Sequence, residues 1–234
     1  MLFPPKYALI VAGGSGLRMG TDVPKQFLEL GGIPVLIHTL RKYHEAFDDI
    51  TILLVLPEVQ KEYWQALCKK YSFDIPHQII NGGATRFQSV RNGLQSIATT
   101  NGLVAIHDGV RPFVSKEVIQ NSFAVAERSG NAIAAVPMKD SIRVVETDGN
   151  RAVERTAYRI IQTPQTFQLS LIKKAFETPE LPSFTDDASV LEQAGHAIHL
   201  IEGSYENIKI TTPEDLVWGN ALLEHKKRAD NNTR

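Results

Sequence analysis

The sequence predicts an α/β fold: a Rossmann-like, mostly parallel sheet with helices on both faces, plus a protruding β-hairpin dimerisation arm. Three observations carry this reading. Apolar, β-prone runs alternate with stretches of helical period over more than half of the 234 residues. The first run empties into a loop with four glycines, Gly13, Gly14, Gly16 and Gly20. The rhythm then breaks over about 138–162, where an alternating segment meets an Asp148-Gly149 turn signal.

In order, residues 7–12 read as a strand and 35–47 as a helix. The run 50–56 is a strand buried on both faces, and 58–71 is a helix. A short strand at 77–80 precedes a helix over 86–98, where Phe87, Val90, Leu94 and Ile97 share one face. Strands at 103–107 and 132–136 flank a helix at 116–128. This β-α-β-α rhythm implies a parallel sheet, whose ligands bind beyond the carboxyl ends of the strands. The glycine loop, Asn81-Gly82-Gly83 and His107-Asp108 all fall on that edge. After the hairpin, 186–194 is a helix, 197–202 and 208–210 are strands, and 213–227 is a closing helix with a loose polar tail. The whole chain, 1–234, reads as a single domain with an arm over about 138–162. A lone two-stranded hairpin is marginally stable, so packing against a second subunit, as a homodimer, is the expected arrangement.

Composition narrows the function. Charged residues make up 22% and the formal net charge is −1, so no global basic field exists to hold a nucleic-acid backbone. The chain enters a strand almost at once, and no apolar run reaches membrane-spanning length, which predicts no membrane association and a cytoplasmic protein. Cys68 is the single cysteine and sits in helical register with Trp64 and Leu67, as filler rather than nucleophile. The histidines show no metal-ligand spacing.

The chemistry concentrates at the first loop. Glycines let backbone N–H groups approach phosphate oxygens, and Arg18 and Lys25 follow within reach. A Walker A loop is excluded, because no Gly-Lys pair exists, and Met19 breaks the dinucleotide fingerprint. A tight turn with no ligand remains open on the loop alone, as does a catalytically silent nucleotide-binding module. Asp108 before Gly109 also fits a turn residue, and Arg111 a surface ion pair. Asp186 and Asp187 fit an N-terminal cap and charge cluster.

Five segments in register resemble one family. They are Ala12-Gly13-Gly14-Ser15-Gly16-Leu17-Arg18-Met19-Gly20 with Pro24-Lys25-Gln26, then His107-Asp108-Gly109-Val110-Arg111-Pro112, Thr163-Pro164-Gln165, Thr185-Asp186-Asp187-Ala188-Ser189 and Asn207-Ile208-Lys209-Ile210-Thr211. Together they resemble the polyol-phosphate nucleotidyltransferases, in particular those that transfer CMP from CTP to 2-C-methyl-D-erythritol 4-phosphate in non-mevalonate isoprenoid biosynthesis. The resemblance implies Arg18, Lys25 and Lys209 as catalytic cations. It implies a nucleotide pocket of Ala12, Gly13, Gly14, Gly83, Ala84 and Ser89. It implies polyol-phosphate binding by Asp108, Arg111, Arg155, Thr163 and Thr185, with Arg155 and Thr185 supplied across the dimer. Mg²⁺ or another divalent cation is the implied cofactor, with Asp108 as its candidate ligand. Two departures stand out: Ala84, where relatives often carry an acid, and Gly109-Val110 in place of a small pair, with a valine that also occurs in the sister family acting on ribitol 5-phosphate.

Overall fold

The computed structural model describes residues 4–14 and 23–232. The chain runs β1 (Lys6–Val11), a single 3-10 turn (Lys25–Phe27), β2 (Glu29–Leu30), β3 (Ile33–Pro34), α1 (Val35–Ala46), β4 (Thr51–Leu56) and α2 (Lys61–Lys70). It continues through β5 (Gln78–Asn81), α3 (Arg86–Ser96), β6 (Leu103–Asp108), α4 (Lys116–Ser129) and β7 (Asn131–Pro137). Then come β8 (Arg143–Glu146), β9 (Gly149–Ala152), β10 (Arg159–Gln168), α5 (Leu169–Ala175), α6 (Asp187–Gln193), β11 (Leu200–Glu202) and α7 (Pro213–Asn232).

Seven strands form the central sheet in the order β11-β7-β10-β6-β1-β4-β5. Every pairing is parallel except those of β10, which lies antiparallel to both β6 and β7. The period of two along the strands sorts side chains onto two cores. Ala8 and Ile10 of β1 and Ile52, Leu54 and Leu56 of β4 face the cluster built with Leu36, Leu40, Trp64 and Phe123 of α1, α2 and α4. Leu9, Leu53 and Val55 face the opposite cluster, with Val90 and Leu94 of α3, Ile172 of α5 and Leu191 of α6. Both faces are therefore covered, which is why the strands read as continuous apolar runs. A third cluster seats α7 on Leu30, Val35, Val110, Phe113 and Ile210.

Two helices on the second face cap one another. The Arg91 guanidinium of α3 donates to the carbonyls of Phe176 and Thr178 beyond α5, the first at 3.0 Å. The Lys173 ammonium of α5 donates to the carbonyls of Ile97 and Thr99 beyond α3, at 2.6 and 3.2 Å. Each cation thus satisfies orphan carbonyls at the end of its neighbour. Cys68 packs half-buried against the first core, and burial pushes its thiol up to about 11, so it stays protonated and unreactive.

Four differences from the predicted elements bear on the architecture. The hairpin β8–β9 exists as a separate two-stranded sheet, but its tip is Thr147-Asp148, because Glu146 pairs with Gly149. The segment 208–210 is not a strand, although its Ile210 N–H donates to the Val110 carbonyl at 2.9 Å. The helix α7 extends to Asn232, past the expected end at 227, so the tail to that residue is helical. Finally, β10 and α5 occupy a stretch whose apolar pattern predicts neither.

Candidate active site

The carboxyl ends of β1, β5 and β6 open onto two adjoining hollows. The first, about 190 Å³, is lined by residues of the loops after β1 and β5 together with Lys25, Asp108 and Lys209. The second, about 290 Å³, takes in Arg111, Thr163, Gln165, Thr185 and Asp186. Three residues, Arg86, Asp108 and Lys209, line both. They form the seam.

Local sequence explains how the first hollow is made. Pro24 precedes the 3-10 turn, and Gln26, fully buried at the turn, donates to the Ala12 carbonyl at 2.8 Å and to Gln60 at 2.7 Å. This draws the turn against the end of β1 and lays Lys25 across Gly14. A Cβ on Gly14 would lie 3.0 Å from Lys25 Cε, so the glycine gives the lysine its room. Across the hollow, Ser89 Oγ accepts the Gly83 N–H at 3.0 Å and donates to the Thr85 carbonyl at 2.9 Å, while Gln88 accepts the Ala84 N–H at 3.1 Å. The loop after β5 is thereby pre-formed by its own helix α3, whose N-cap is Thr85. The amides of Gly83 and Ala84 already donate within the chain, so reading of a base there by those N–H groups requires exchange of these bonds.

At the seam, the Asp108 carboxylate, nearly buried at the end of β6, meets three cations. Lys209 Nζ and Arg111 Nε both stand 3.1 Å from Oδ2, and Arg86 Nε is 3.8 Å from Oδ1. Burial alone would raise the carboxyl, but Lys209, Arg86 and Arg111 outweigh it and hold Asp108 well below the usual carboxylate range. Arg111 also donates to the Asn207 carbonyl at 2.8 Å, and buried Asn207 donates to the Thr163 carbonyl at 2.8 Å, which pins the loop carrying Lys209. Arg111 is therefore not a surface pair.

Because β10 runs against β6, its Thr163 end meets the Asp108 end. The Thr163 hydroxyl accepts the Asp108 N–H at 3.1 Å and donates to His107 Nδ1 at 3.0 Å. The Arg111 carbonyl, 3.2 Å from His107 Nε2, can only accept, which puts the proton of the neutral ring on Nε2 and leaves Nδ1 to the Thr163 hydroxyl. Burial drives the His107 imidazole down to about 4, so it is neutral at pH 7 and serves as a packed strut. Thr163 lines the second hollow with a hydroxyl already committed to this chain of bonds.

The second hollow is bounded by the start of α6. Asp186 caps that helix through a capping box with Ser189, at 2.9 Å to the Ser189 N–H, and accepts from Gln165 at 2.8 Å. Asp187 is almost wholly buried and takes both prongs of Arg86, at 2.8 and 2.7 Å. Burial pushes the Asp187 carboxyl up, against the pull of Arg86, whose guanidinium fork stays charged and holds an ion pair.

Of the residues named from the sequence, Ala12, Gly13, Gly14, Lys25, Gly83, Ala84 and Ser89 come together in the first hollow. Asp108 and Lys209 stand at the seam, and Arg111, Thr163 and Thr185 in the second. Thr185 lines the second hollow of its own chain. Arg155 does not join them: it sits on the exposed arm and donates to the Lys139 carbonyl at 2.6 Å. Arg18 lies outside the described residues. The sequence reading gives Arg86, Gln26 and Gln165 no role in the site, and Asp187 only that of a cap. Arg86 carried a signal, since a cation at the first position of a helix opposes the helix dipole unless an acid faces it.

A divalent ion caged by protein side chains does not fit this donor set. Among the described residues no three ligating side chains cluster, and both Asp108 oxygens face cations. An ion carried on nucleotide phosphates, which supply most of its oxygen ligands, is compatible with one carboxylate.

Comparison with known proteins places this geometry. The family model described as IspD, 2-C-methyl-D-erythritol 4-phosphate cytidylyltransferase, matches residues 7–225. The chain is 52% identical over 219 residues to the 2-C-methyl-D-erythritol 4-phosphate cytidylyltransferase of Porphyromonas gingivalis, covering 93% of this chain and 97% of that one. It is 49% identical over 215 residues to the protein of that name in Bacteroides thetaiotaomicron, with 92% and 98% covered. Among solved structures, 4-diphosphocytidyl-2C-methyl-D-erythritol synthase of Anaerococcus prevotii matches with a TM-score of 0.81 at 31% identity, over 94% of this chain and 96% of that one.

Proposed function

As a member of the 2-C-methyl-D-erythritol 4-phosphate cytidylyltransferase family, this chain, we propose, transfers CMP from CTP to 2-C-methyl-D-erythritol 4-phosphate. The products are 4-diphosphocytidyl-2-C-methyl-D-erythritol and pyrophosphate. The observation that carries the reading is the pair of hollows joined at Arg86, Asp108 and Lys209. Two anions must meet there, and the seam supplies the cations to let them.

The nucleotide occupies the first hollow, with its base between the loop after β1 and the Gly83–Ala84 backbone. The methylerythritol phosphate occupies the second, beside Arg111, Thr163 and Thr185. Its phosphate oxygen attacks the α-phosphorus of CTP in line, the bond to the β-phosphate oxygen breaks, and pyrophosphate leaves. The nucleophile is already an anion, so the protein supplies position and charge rather than a base. Lys25, with Arg18, steadies the triphosphate, and Lys209, released from Asp108 or shared with it, bridges the α-phosphate and the incoming phosphate. A divalent cation carried on the triphosphate would supply further neutralisation of its oxygens, and Asp108 is the carboxylate of the seam that would help to hold it.

The arm completes the site from a second subunit. Its sheet stands apart, Val145 on it is exposed, and Arg155 reaches neither hollow of its own chain. These features support a homodimer in which Arg155 serves the partner's second hollow, and light scattering that finds only monomer would remove that arrangement. The rest of the chain works as one catalytic domain. Among the described residues no helix is long and apolar enough to cross a membrane, and the unreactive lone cysteine suits a cytoplasmic setting.

Gly109-Val110 does not favour the ribitol enzyme. A Cβ on Gly109 would lie 2.9 Å from that of Ala12, and Val110 packs under α7 at the edge of the first hollow, so neither lines the second, where the polyol phosphate is placed. The deciding experiment measures pyrophosphate released from CTP and Mg²⁺ with either polyol phosphate. Release with methylerythritol phosphate alone is expected. Release with ribitol phosphate alone would move the chain to the sister activity, and silence with both would leave a nucleotide-binding module.

A further inference from the structure

Arg86 stands where a helix ordinarily rejects a cation. It opens α3, directly after the loop that shapes the first hollow. Its counter-charge, Asp187, opens α6, directly after Thr185 and Asp186 of the second. One two-pronged pair, at 2.8 and 2.7 Å, therefore ties together the elements that shape the two hollows. A second tie runs alongside: Glu180, ahead of α6, accepts from the Thr85 hydroxyl at 2.9 Å and from Gln88 at 3.3 Å. Arg86 lines both hollows and faces Asp108, whereas Asp187 lines neither.

We infer that Arg86 is a positioning residue for the transfer: gripped by Asp187, it fixes Asp108, and through it Lys209, at the seam, and sets the spacing of the two substrates. This rests on the transferase reading. The guanidinium has a fixed planar fork, and Asp187 uses one prong of each terminal nitrogen. That leaves Nε turned toward Asp108, with no freedom to swing while the grip holds. Asp108 is in turn the anion against which Lys209 rests. A small displacement along this chain of charges moves the cation that must meet both phosphates. In-line transfer is sensitive to such displacements.

The test compares Arg86→Lys, Asp187→Asn and the double variant in steady-state pyrophosphate release, with CTP, Mg²⁺ and methylerythritol phosphate. The kcat of each single variant falls by about 10–100-fold while either KM stays within about threefold. The double variant falls no further than the worse single one, because both break the same grip. Asp187 touches neither substrate hollow, so a kcat loss there cannot be lost contact. An unchanged kcat per CTP-binding site, whatever the melting temperature does, would overturn the inference. So would a raised KM with kcat intact, or losses that multiply in the double variant. If Asp187→Asn does not fold, Arg86→Lys decides alone, since it keeps the charge and removes the fork. Silence of the unmodified enzyme sinks the transferase reading instead, so the two failures are distinguishable.

Discussion

Lys209 and Asp108 face one another across 3.1 Å at the point where the two hollows meet. Asp108 also has Arg111 at 3.1 Å, a second cation that would compensate its charge in the absence of Lys209. Lys209→Ala should therefore lower kcat by about 10²–10³-fold, the usual cost of one preorganised charge donor. Its melting temperature should stay within a few degrees of the parent. A stopped assay with CTP in excess checks the first, and calorimetric unfolding the second.

Lys25 lies across Gly14, and its neighbour Gln26 is what moors it there. Lys25→Ala should cut turnover by a comparable factor, about 10²–10³, while CTP still binds. Titration calorimetry with CTP and Mg²⁺ separates the two effects. Unchanged turnover would discard the role.

Gly83 has no space for a side chain. An added Cβ would stand 2.4 Å from Gln88 Cβ and 3.0 Å from the Gln88 backbone carbon. Gly83→Ala should displace the loop that its own helix now holds through Ser89. The KM for CTP should rise about tenfold, equivalent to roughly 1.4 kcal/mol, with a smaller effect on the KM for the polyol phosphate.

Gly93, in the middle of α3, presses on Leu9 of β1, whose Cδ1 would lie 2.3 Å from an added Cβ. Helix propensity would gain up to about 1 kcal/mol from alanine here. Overpacking a core costs about 1–3 kcal/mol, so the net effect of Gly93→Ala is destabilising. A lower urea midpoint with an unchanged slope is the expected result.

His107 gives a pH dependence with a definite sign. Burial holds its folded pKa down near 4, against an ordinary value of 6.5. Between these values the unfolded chain binds the extra proton, so stability is full above about pH 6.5 and falls as pH drops towards 4. Holding the imidazole neutral over that interval makes the full effect about 3 kcal/mol. His107→Phe should show a shallower loss of urea stability between pH 6.5 and 4.5 than the parent.

Much of the sheet was legible because β1, β4 and β6 are apolar on both faces, and such runs betray themselves. The strand β10 was not, because most of its buried residues, Gln162, Thr163, Gln165 and Thr166, are polar. Gln165 is satisfied by Asp186 and Thr166 by Ser122, at 2.8 Å each. Partners that distant in sequence leave no local pattern. The same holds for the site. Glycine loops and the edge they occupy follow from topology, whereas Lys209 and Thr163 were found through family resemblance. Arg86 escaped notice because its meaning depends on an acid 101 positions away.

The place of β10 in the sheet also governs how the chain can be made. The strands β6 and β7 do not pair with each other; β10 fills the slot between them. On the ribosome both would emerge first, each with an open, largely apolar edge. Until residue 168 is available, the half-made sheet exposes two templates for wrong pairing at its centre. Fragments ending before β10 should therefore aggregate more readily than those ending just after it. The strand that carries Thr163 to the active site is thus also the one whose arrival ends the chain's most hazardous interval during synthesis.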